Sequence, residues 1–215
     1  MLLVAQTATG QVTQVRPRRQ FITIDIERGR TMPLHFKENP LQQLAGRELG
    51  VDADRAHDYR SSDGTTTVDV QDFRRSIHGV GLSVYPFGTS SSSSLMLRAA
   101  YETLPVIRLR INGPAGTTAY SLADGRAYDF GLGVISSDTP AGWSMGAHSF
   151  AGGGAGLIRS ERGDGQRLFA EAGGGVTFGP IGVQVGLKIA YNRLTDPRPH
   201  HFYTVPLTLR GTVSF

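Results

Sequence analysis

Apolar and polar positions alternate along most of the chain with a period of two residues. At the C-terminal end, an apolar row from Tyr203 to Phe215 alternates with a largely polar row from Phe202 to Ser214. Because successive side chains of a β-strand point to opposite faces, this pattern predicts a strand of about 13 residues. The same alternation recurs in segments that begin at Ile22, Val80, Leu95, Tyr128, Trp143, Leu168 and Val183. The sequence therefore predicts an all-β protein with about eight strands.

The polar rows of these strands carry charges of both signs together with many of the glycines. Eight charged residues share this face, and we expect them to form an ion-pair network: Asp25, Glu27, Arg98, Glu102, Asp129, Glu171, Lys188 and Arg210. A narrow lumen filled by long ion-paired side chains needs small residues beside them, whereas a solvated surface has no steric reason for glycine. This favours an antiparallel up-and-down transmembrane β-barrel with the charged row inside. A soluble ligand-binding barrel, with the apolar row as its core, is the alternative.

The connections between the predicted strands differ in length at the two ends of the barrel. Residues 28–74 and 103–125 form long connections at one end, together with two shorter loops rich in Asp with Gly or Pro, whereas 86–93, 136–142 and 179–182 form short ones at the other. Long outer loops and short periplasmic turns are typical of outer-membrane barrels. Aromatic residues near both strand ends predict two interfacial girdles. The turn-end girdle is Tyr85, Phe87, Trp143, Phe178 and Phe215, and the loop-end girdle is Tyr101, Tyr128, Tyr191, Phe202 and Tyr203.

The composition excludes several classes of protein. The 215 residues include 28 glycines without a triplet repeat and no cysteine, and the net charge is only +4 with a pI near 9.7. Collagen, disulfide frameworks and cysteine-ligated metal sites are therefore excluded. No stretch approaches the ~18 uninterrupted apolar residues of a membrane-spanning helix. The basic cluster around Pro17 has no helical or aromatic platform beside it, which argues against nucleic-acid binding.

The first 19 residues are predicted to lie outside the barrel. Residues 1–5 form an apolar stub that ends in a small residue, like the tail of a secretory signal. Residues 6–19 are polar and then basic, which predicts a flexible periplasmic lead-in. The barrel domain is assigned to residues 20–215.

Two elements are predicted in the long outer connections. Asn39 as N-cap, Pro40 at the first helical position and Gly50 beyond the end predict a short helix in the first outer loop. Residues 106–111 and 117–122 also alternate, which predicts a hairpin that extends beyond the barrel.

The terminal strand carries a family resemblance. The final residue is Phe215, and Val213, Leu209 and Leu207 precede it at alternate positions. Over residues 20–215 the chain resembles the small eight-stranded β-barrel proteins of the bacterial outer membrane. The resemblance implies that these four residues are the signal read by the barrel-assembly machinery. Gly211 departs from the pattern, which usually has a bulky apolar or aromatic residue at that position.

Several arginines fall at the outer ends of strands or in the loops that join them. These are Arg159, Arg162, Arg167, Arg193 and Arg198. A lipopolysaccharide leaflet presents phosphates at this level, and guanidinium forks suit bidentate contact with phosphate. The sequence therefore predicts that these residues contact lipopolysaccharide, although pairing with nearby acidic loop residues is an equally good interpretation.

No arrangement in the sequence supports catalysis. Ser144 and His148 share a face but lie about 13 Å apart along a strand, too far for a nucleophile and its base. The GxSxG match at 142–146 opens a strand and not the strand-to-helix turn that this motif requires. The histidine pair at 200–201 lacks a carboxylate or cysteine neighbour, so no metal site and no cofactor are expected.

The leading hypothesis is a non-enzymatic outer-membrane protein with a plugged polar lumen. Eight strands leave an interior only wide enough for side chains, so a general diffusion pore is disfavoured. Such a protein would act through its outer loops on an extracellular partner that the sequence does not identify. The alternatives are an outer-membrane lipid-modifying enzyme resembling a lipid A deacylase, and the soluble ligand-binding barrel.

Overall fold

The structure is a computed structural model, and it is built almost entirely of strands. It describes residues 20–32, 46, 60–69, 73–74, 76–89, 93–104, 106–122, 125–138, 145–160, 163–195 and 200–215. The strands within these residues, in chain order, are β1 (Ile22–Met32), β2 (Thr67–Asp69), β3 (Phe73–Arg74), β4 (Ser76–Val84), β5 (Ser94–Thr103), β6 (Val106–Gly113), β7 (Gly116–Leu122), β8 (Gly125–Asp138), β9 (Met145–Ser160), β10 (Gly163–Phe178), β11 (Ile181–Leu194) and β12 (His200–Ser214).

Eight of the strands close into a barrel. The order around the wall is β1, β12, β11, β10, β9, β8, β5 and β4, and β4 pairs with β1 to close it. Every neighbouring pair of barrel strands is antiparallel. Barrel strands that follow one another along the chain lie side by side in the wall. The predicted eight-stranded antiparallel up-and-down barrel is confirmed. Among the described residues, no helix has the length and apolar character to cross a membrane.

The two faces of the barrel wall have opposite polarity. Side chains alternate between buried and exposed along the strands, as in β4 and β5. The exposed positions are largely apolar, with Ile26 73% exposed, Leu168 61% exposed and Leu209 56% exposed. The buried positions hold the charged side chains. The wall is therefore apolar outside and charged inside.

All three connections between barrel strands at one end are short, and we call this the turn end. Residues 179 and 180 join β10 to β11, and residues 85–93 join β4 to β5. The opposite end, the loop end, carries the two long connections, 33–75 and 104–124, together with two short ones, 161–162 and 195–199. Residues 39–50, predicted to form a helix, lie outside the described residues except for Gly46.

The hairpin predicted beyond the barrel is present and continues directly from the wall. β6 pairs with β7 as Ile107↔Leu122, and β5 pairs with β8 as Thr103↔Arg126, so one unbroken register joins the two pairs. Leu104 bridges them by donating its backbone N–H to the Gly125 carbonyl oxygen. At about 3.4 Å per residue, the ten residues from Leu104 to Gly113 extend the hairpin by roughly 30 Å past the barrel rim.

Two strands of the first long connection, residues 33–75, add to this hairpin. β2 and β3 both pair with β6, and β3 leads into β4 of the barrel. The pairing register shifts by one residue between β2 and β3 and by one more between β3 and β4, the signature of β-bulges. We call β2, β3, β6 and β7 the projecting sheet.

Two members of the predicted aromatic girdles face inward. Tyr85 is 3% exposed and Phe202 is 4% exposed, so their assignment to the girdles is wrong. Each ring lies two positions from an inward-facing side chain, Ser83 for Tyr85 and Thr204 for Phe202, and therefore points to the same face. Position near a strand end did not distinguish inward from outward rings. Trp143 lies outside the described residues, and the other members lie on exposed or half-buried outer positions.

Candidate functional site

The barrel interior holds one charged network between two apolar clusters. Towards the loop end lie Leu104, Ala127, Ile158, Leu194 and Phe202. Towards the turn end lie Tyr85, Met96, Ile135 and Phe150. The network between them contains the eight predicted residues, Asp25, Glu27, Arg98, Glu102, Asp129, Glu171, Lys188 and Arg210, together with Arg167. None of the nine is more than 7% exposed.

The first half of the network is centred on Arg98. Its Nη1 lies 2.5 Å from Asp25 Oδ2 and its Nη2 lies 2.9 Å from Asp25 Oδ1, a bidentate pair that lies over Gly81 of the intervening strand β4. The same guanidinium lies 3.5 Å from carboxylate oxygens of Glu27 and Glu171. Bidentate pairing of this kind fixes orientation as well as charge.

Arg210 on β12 joins two of those carboxylates, and it is the register partner of Glu27 on β1. Its Nε donates to Glu27 Oε2 at 2.8 Å, and its Nη2 donates to Glu171 Oε2 at 2.5 Å. The guanidinium carbon lies 5.3 Å from the centre of the Phe150 ring, within the range of a cation–π contact. Arg210 therefore links β12 to β1 and β10 through buried bonds.

The second half of the network lies nearer the loop end. Arg167 donates from Nη1 and Nη2 to Glu102 Oε2, both at 3.1 Å, and its Nε lies 3.3 Å from Asp129 Oδ1. Lys188 donates to Glu102 and, at 3.2 Å, to Asp129 Oδ2. The Lys188 ammonium also lies 5.0 Å from the centre of the Phe169 ring. Two carboxylates are thus matched by two bases.

The prediction that Arg167 contacts lipopolysaccharide at the rim is wrong. Its side chain is 2% exposed and lies inside the barrel. The physical reason is parity, because Arg167 shares the inward face of β10 with Phe169 and Glu171. The alternation along β10 indicates this inward orientation, whereas nearness to the strand end does not determine the face.

Glycines make room for this network. A Cβ atom on Gly81 would lie 2.5 Å from Arg98 Nη2 and 2.6 Å from Asp25 Oδ2, and one on Gly79 would lie 2.9 Å from Glu27 Cγ. A Cβ atom on Gly156 would overlap Asp129. These inward-facing positions therefore accept no side chain without displacing an ion pair.

We expect Gly81→Ala to lower the free energy of unfolding by about 1–3 kcal/mol, since the added methyl group overpacks the Arg98–Asp25 pair. The matched control is Gly211→Ala, because a Cβ atom there meets nothing within 4 Å. Urea unfolding of the two variants in detergent micelles compares them. Equal stability of both variants would contradict the tight packing of the lumen.

The polar groups of the interior also bear on metal binding. Among the described residues, no three His, Asp or Glu side chains are placed to hold a metal ion. His148 is a buried interior residue, whereas Ser144 lies outside the described residues. Each basic side chain of the network is paired with carboxylates, so the network links the strands of the barrel wall to one another.

The outer face at the loop end carries exposed arginines. Arg159 on β9 and Arg193 on β11 project outward there, and Arg126 on β8 projects beside Arg159. Arg162 and Arg198 lie outside the described residues. Tyr128 and Tyr191 lie two residues closer to the middle of the barrel than Arg126 and Arg193 on the same strands.

The residues predicted as the assembly signal form one outward row on β12. Leu207, Leu209, Val213 and Phe215 are 42–63% exposed on the outer face. Gly211 lies in the same row and has open space around it. The apolar row of the terminal strand is therefore accessible from outside the barrel.

A structured turn precedes the projecting sheet. The Asp63 carboxylate accepts hydrogen bonds from the Ser61 hydroxyl, the Thr65 amide at 3.0 Å and the Thr65 hydroxyl at 2.8 Å. These bonds, the Ser61 bond first among them, lower the pKa of Asp63 to about 2. The turn therefore keeps its charged, hydrogen-bonded form throughout the neutral range.

No protein-family model, curated protein or solved structure matches the chain.

Proposed function

We propose that the protein is a non-enzymatic β-barrel of the bacterial outer membrane, in which a rigid, plugged barrel carries the projecting sheet towards an extracellular partner. The observation that supports this most strongly is the polarity of the wall. Large apolar side chains that are 36–73% exposed occur on all eight barrel strands. Nine charged side chains, which a water-soluble barrel would place outside, are buried inside, and the exposed arginines lie near the loop end of the strands.

The exposed apolar belt is too extensive for a wall in water. Soluble monomers rarely expose a contiguous apolar patch larger than a few hundred Å². Transfer of apolar surface out of water stabilises by about 25 cal/mol per Å². A hydrocarbon layer around the barrel removes this cost, whereas the soluble-barrel alternative needs another cover for all eight strands.

The order of side chains along the outer wall supports a membrane boundary at the loop end. On β8 and β11, the apolar belt gives way first to Tyr128 and Tyr191 and then, two residues further on, to Arg126 and Arg193. Two residues of a strand span about 7 Å. Aromatic rings favour the interface and basic groups favour the phosphate level above it. This spacing fits a lipid headgroup layer at the loop end.

The ends of the barrel also suggest its orientation. Outer-membrane barrels have short periplasmic turns and longer outer loops. The loop end with its projecting sheet would therefore face the medium, and the turn end would face the periplasm. Insertion would use the barrel-assembly machinery, which would bind the exposed apolar row of β12.

The same geometry supports a role other than enzymatic. His148, the histidine considered above as a base, lies inside the barrel and not on the apolar outer wall that would contact lipid. The alternative of a lipid A deacylase-like enzyme makes a different prediction, a loss of acyl chains from lipid A. Mass spectrometry of lipid A from expressing cells should show no change, and a change would favour the enzyme.

We expect the full chain to float with phosphatidylcholine vesicles after refolding, and to migrate faster on gels before boiling than after it. The apolar wall requires lipid, and a closed barrel resists detergent until heated. Trypsin added outside the vesicles should leave the barrel strands intact. Material that stays below the lipid layer in a density gradient would overturn the membrane proposal.

A further inference from the structure

Two arginines at the loop end lie directly opposite each other on adjacent strands. Arg126 on β8 and Arg159 on β9 are register partners, and both side chains are exposed on the outer face. Directly opposite residues have Cβ atoms about 4.5–5.5 Å apart. The two guanidinium groups are therefore within reach of one small ligand.

This pairing is unfavourable without an anion. Like charges directly opposite each other destabilise a sheet. The next positions in the same outward row are Thr103 beside Arg126 and Asp164 beside Arg159. One carboxylate therefore accompanies two guanidinium groups in this four-strand row, which leaves an excess positive charge.

We propose that Arg126 and Arg159 together bind one phosphate group of a membrane lipid, of the kind that lipopolysaccharide presents. This inference rests on the proposed membrane location. Planar guanidinium forks bind phosphate through two parallel bonds each, and a phosphate between them removes the repulsion of the pair. The pair also lies directly above Tyr128 and Leu157, register partners on the outer wall, at the level expected for headgroups.

Arg193 provides a matched comparison on the same belt. It projects outward at the loop end, but its register partners are Gln166 and His201 and not a second arginine. A single fork holds phosphate less tightly than two. Arg193→Gln therefore removes one exposed arginine at the loop end without affecting the two-arginine site.

The test uses the refolded full chain in maltoside micelles, which contain no phosphate. Diphosphoryl lipid A, dephosphorylated lipid A and inorganic phosphate are titrated separately, and the dissociation constant and the midpoint of thermal unfolding are measured. We expect lipid A to bind and to raise the midpoint. Arg126→Gln and Arg159→Gln should each weaken binding about tenfold, since a charge-assisted bond pair is lost.

Further comparisons test whether binding depends on the Arg126–Arg159 pair and whether the bound phosphate belongs to a lipid. Arg193→Gln should keep near-normal affinity for lipid A, and without lipid Arg126→Gln should unfold at the same temperature as the unchanged protein or higher. Equal binding of dephosphorylated lipid A would overturn the proposal. Equal binding of inorganic phosphate at the same concentration would overturn the lipid source. Flotation with neutral vesicles tests the membrane location separately, so failure of either idea is recognisable.

Discussion

Arg210→Met is expected to lower the free energy of unfolding by roughly 3–5 kcal/mol, because Arg98 alone is then left to compensate the three buried carboxylates of its half of the network. Glu27 and Glu171 would both lose a short charged hydrogen bond, at 2.8 Å and 2.5 Å. Methionine keeps much of the volume against Phe150, so the loss reports charge and not a cavity. Urea unfolding in micelles at fixed lipid and salt measures it.

The control is Arg110→Met, which removes an exposed arginine of the projecting sheet. That substitution should change stability by less than about 0.5 kcal/mol. Adding Glu171→Gln to Arg210→Met should recover part of the loss, because one uncompensated charge is then absent. If Arg210→Met is as stable as the unchanged protein, the network does not hold the wall together.

Leu187→Arg and Leu207→Arg should each destabilise the protein in lipid vesicles by roughly 2–4 kcal/mol, the cost of arginine at the middle of a bilayer. The two leucines are register partners on β11 and β12, and they are 41% and 46% exposed on the outer wall. In a soluble barrel, an arginine on the exposed surface would cost little. The free energy of refolding into phosphatidylcholine vesicles measures the difference.

Thr118→Arg is the matched control for these leucines. Thr118 is also an exposed strand residue, but it lies on β7 of the projecting sheet. It should accept arginine with a change below about 0.5 kcal/mol. Tolerance of both leucine substitutions would remove the support for a lipid-facing wall and favour the soluble barrel.

The alternation of side chains predicted most of the interior correctly. All eight residues assigned to the lumen are buried there and ion-paired, because a strand has only two faces and closure turns one of them inward. Arg167, Tyr85 and Phe202 were assigned by their distance from strand ends, and all three lie inside. The alternation of side chains between two faces follows from the covalent geometry of an extended chain, whereas the position of the membrane boundary along a strand does not.

The bonds within the network depended on the closed barrel. Arg98 and Asp25 are 73 positions apart in the chain, and Arg210 and Glu27 are 183 apart. Strand number alone does not specify which inward side chains meet, since the tilt and stagger of the strands decide that. The division into one half around Arg98 and another around Lys188 follows from this stagger.

The local sequence by itself determined the strands, their inward and outward faces and the hairpin that projects from the loop end, because side-chain period and turn residues act over a few residues. Only the tertiary structure decided that β6 and β7 continue the register of β5 and β8, that β2 and β3 join them, and that Arg126 meets Arg159. Register between strands depends on the packing of a closed wall, in which each strand is positioned by both of its neighbours.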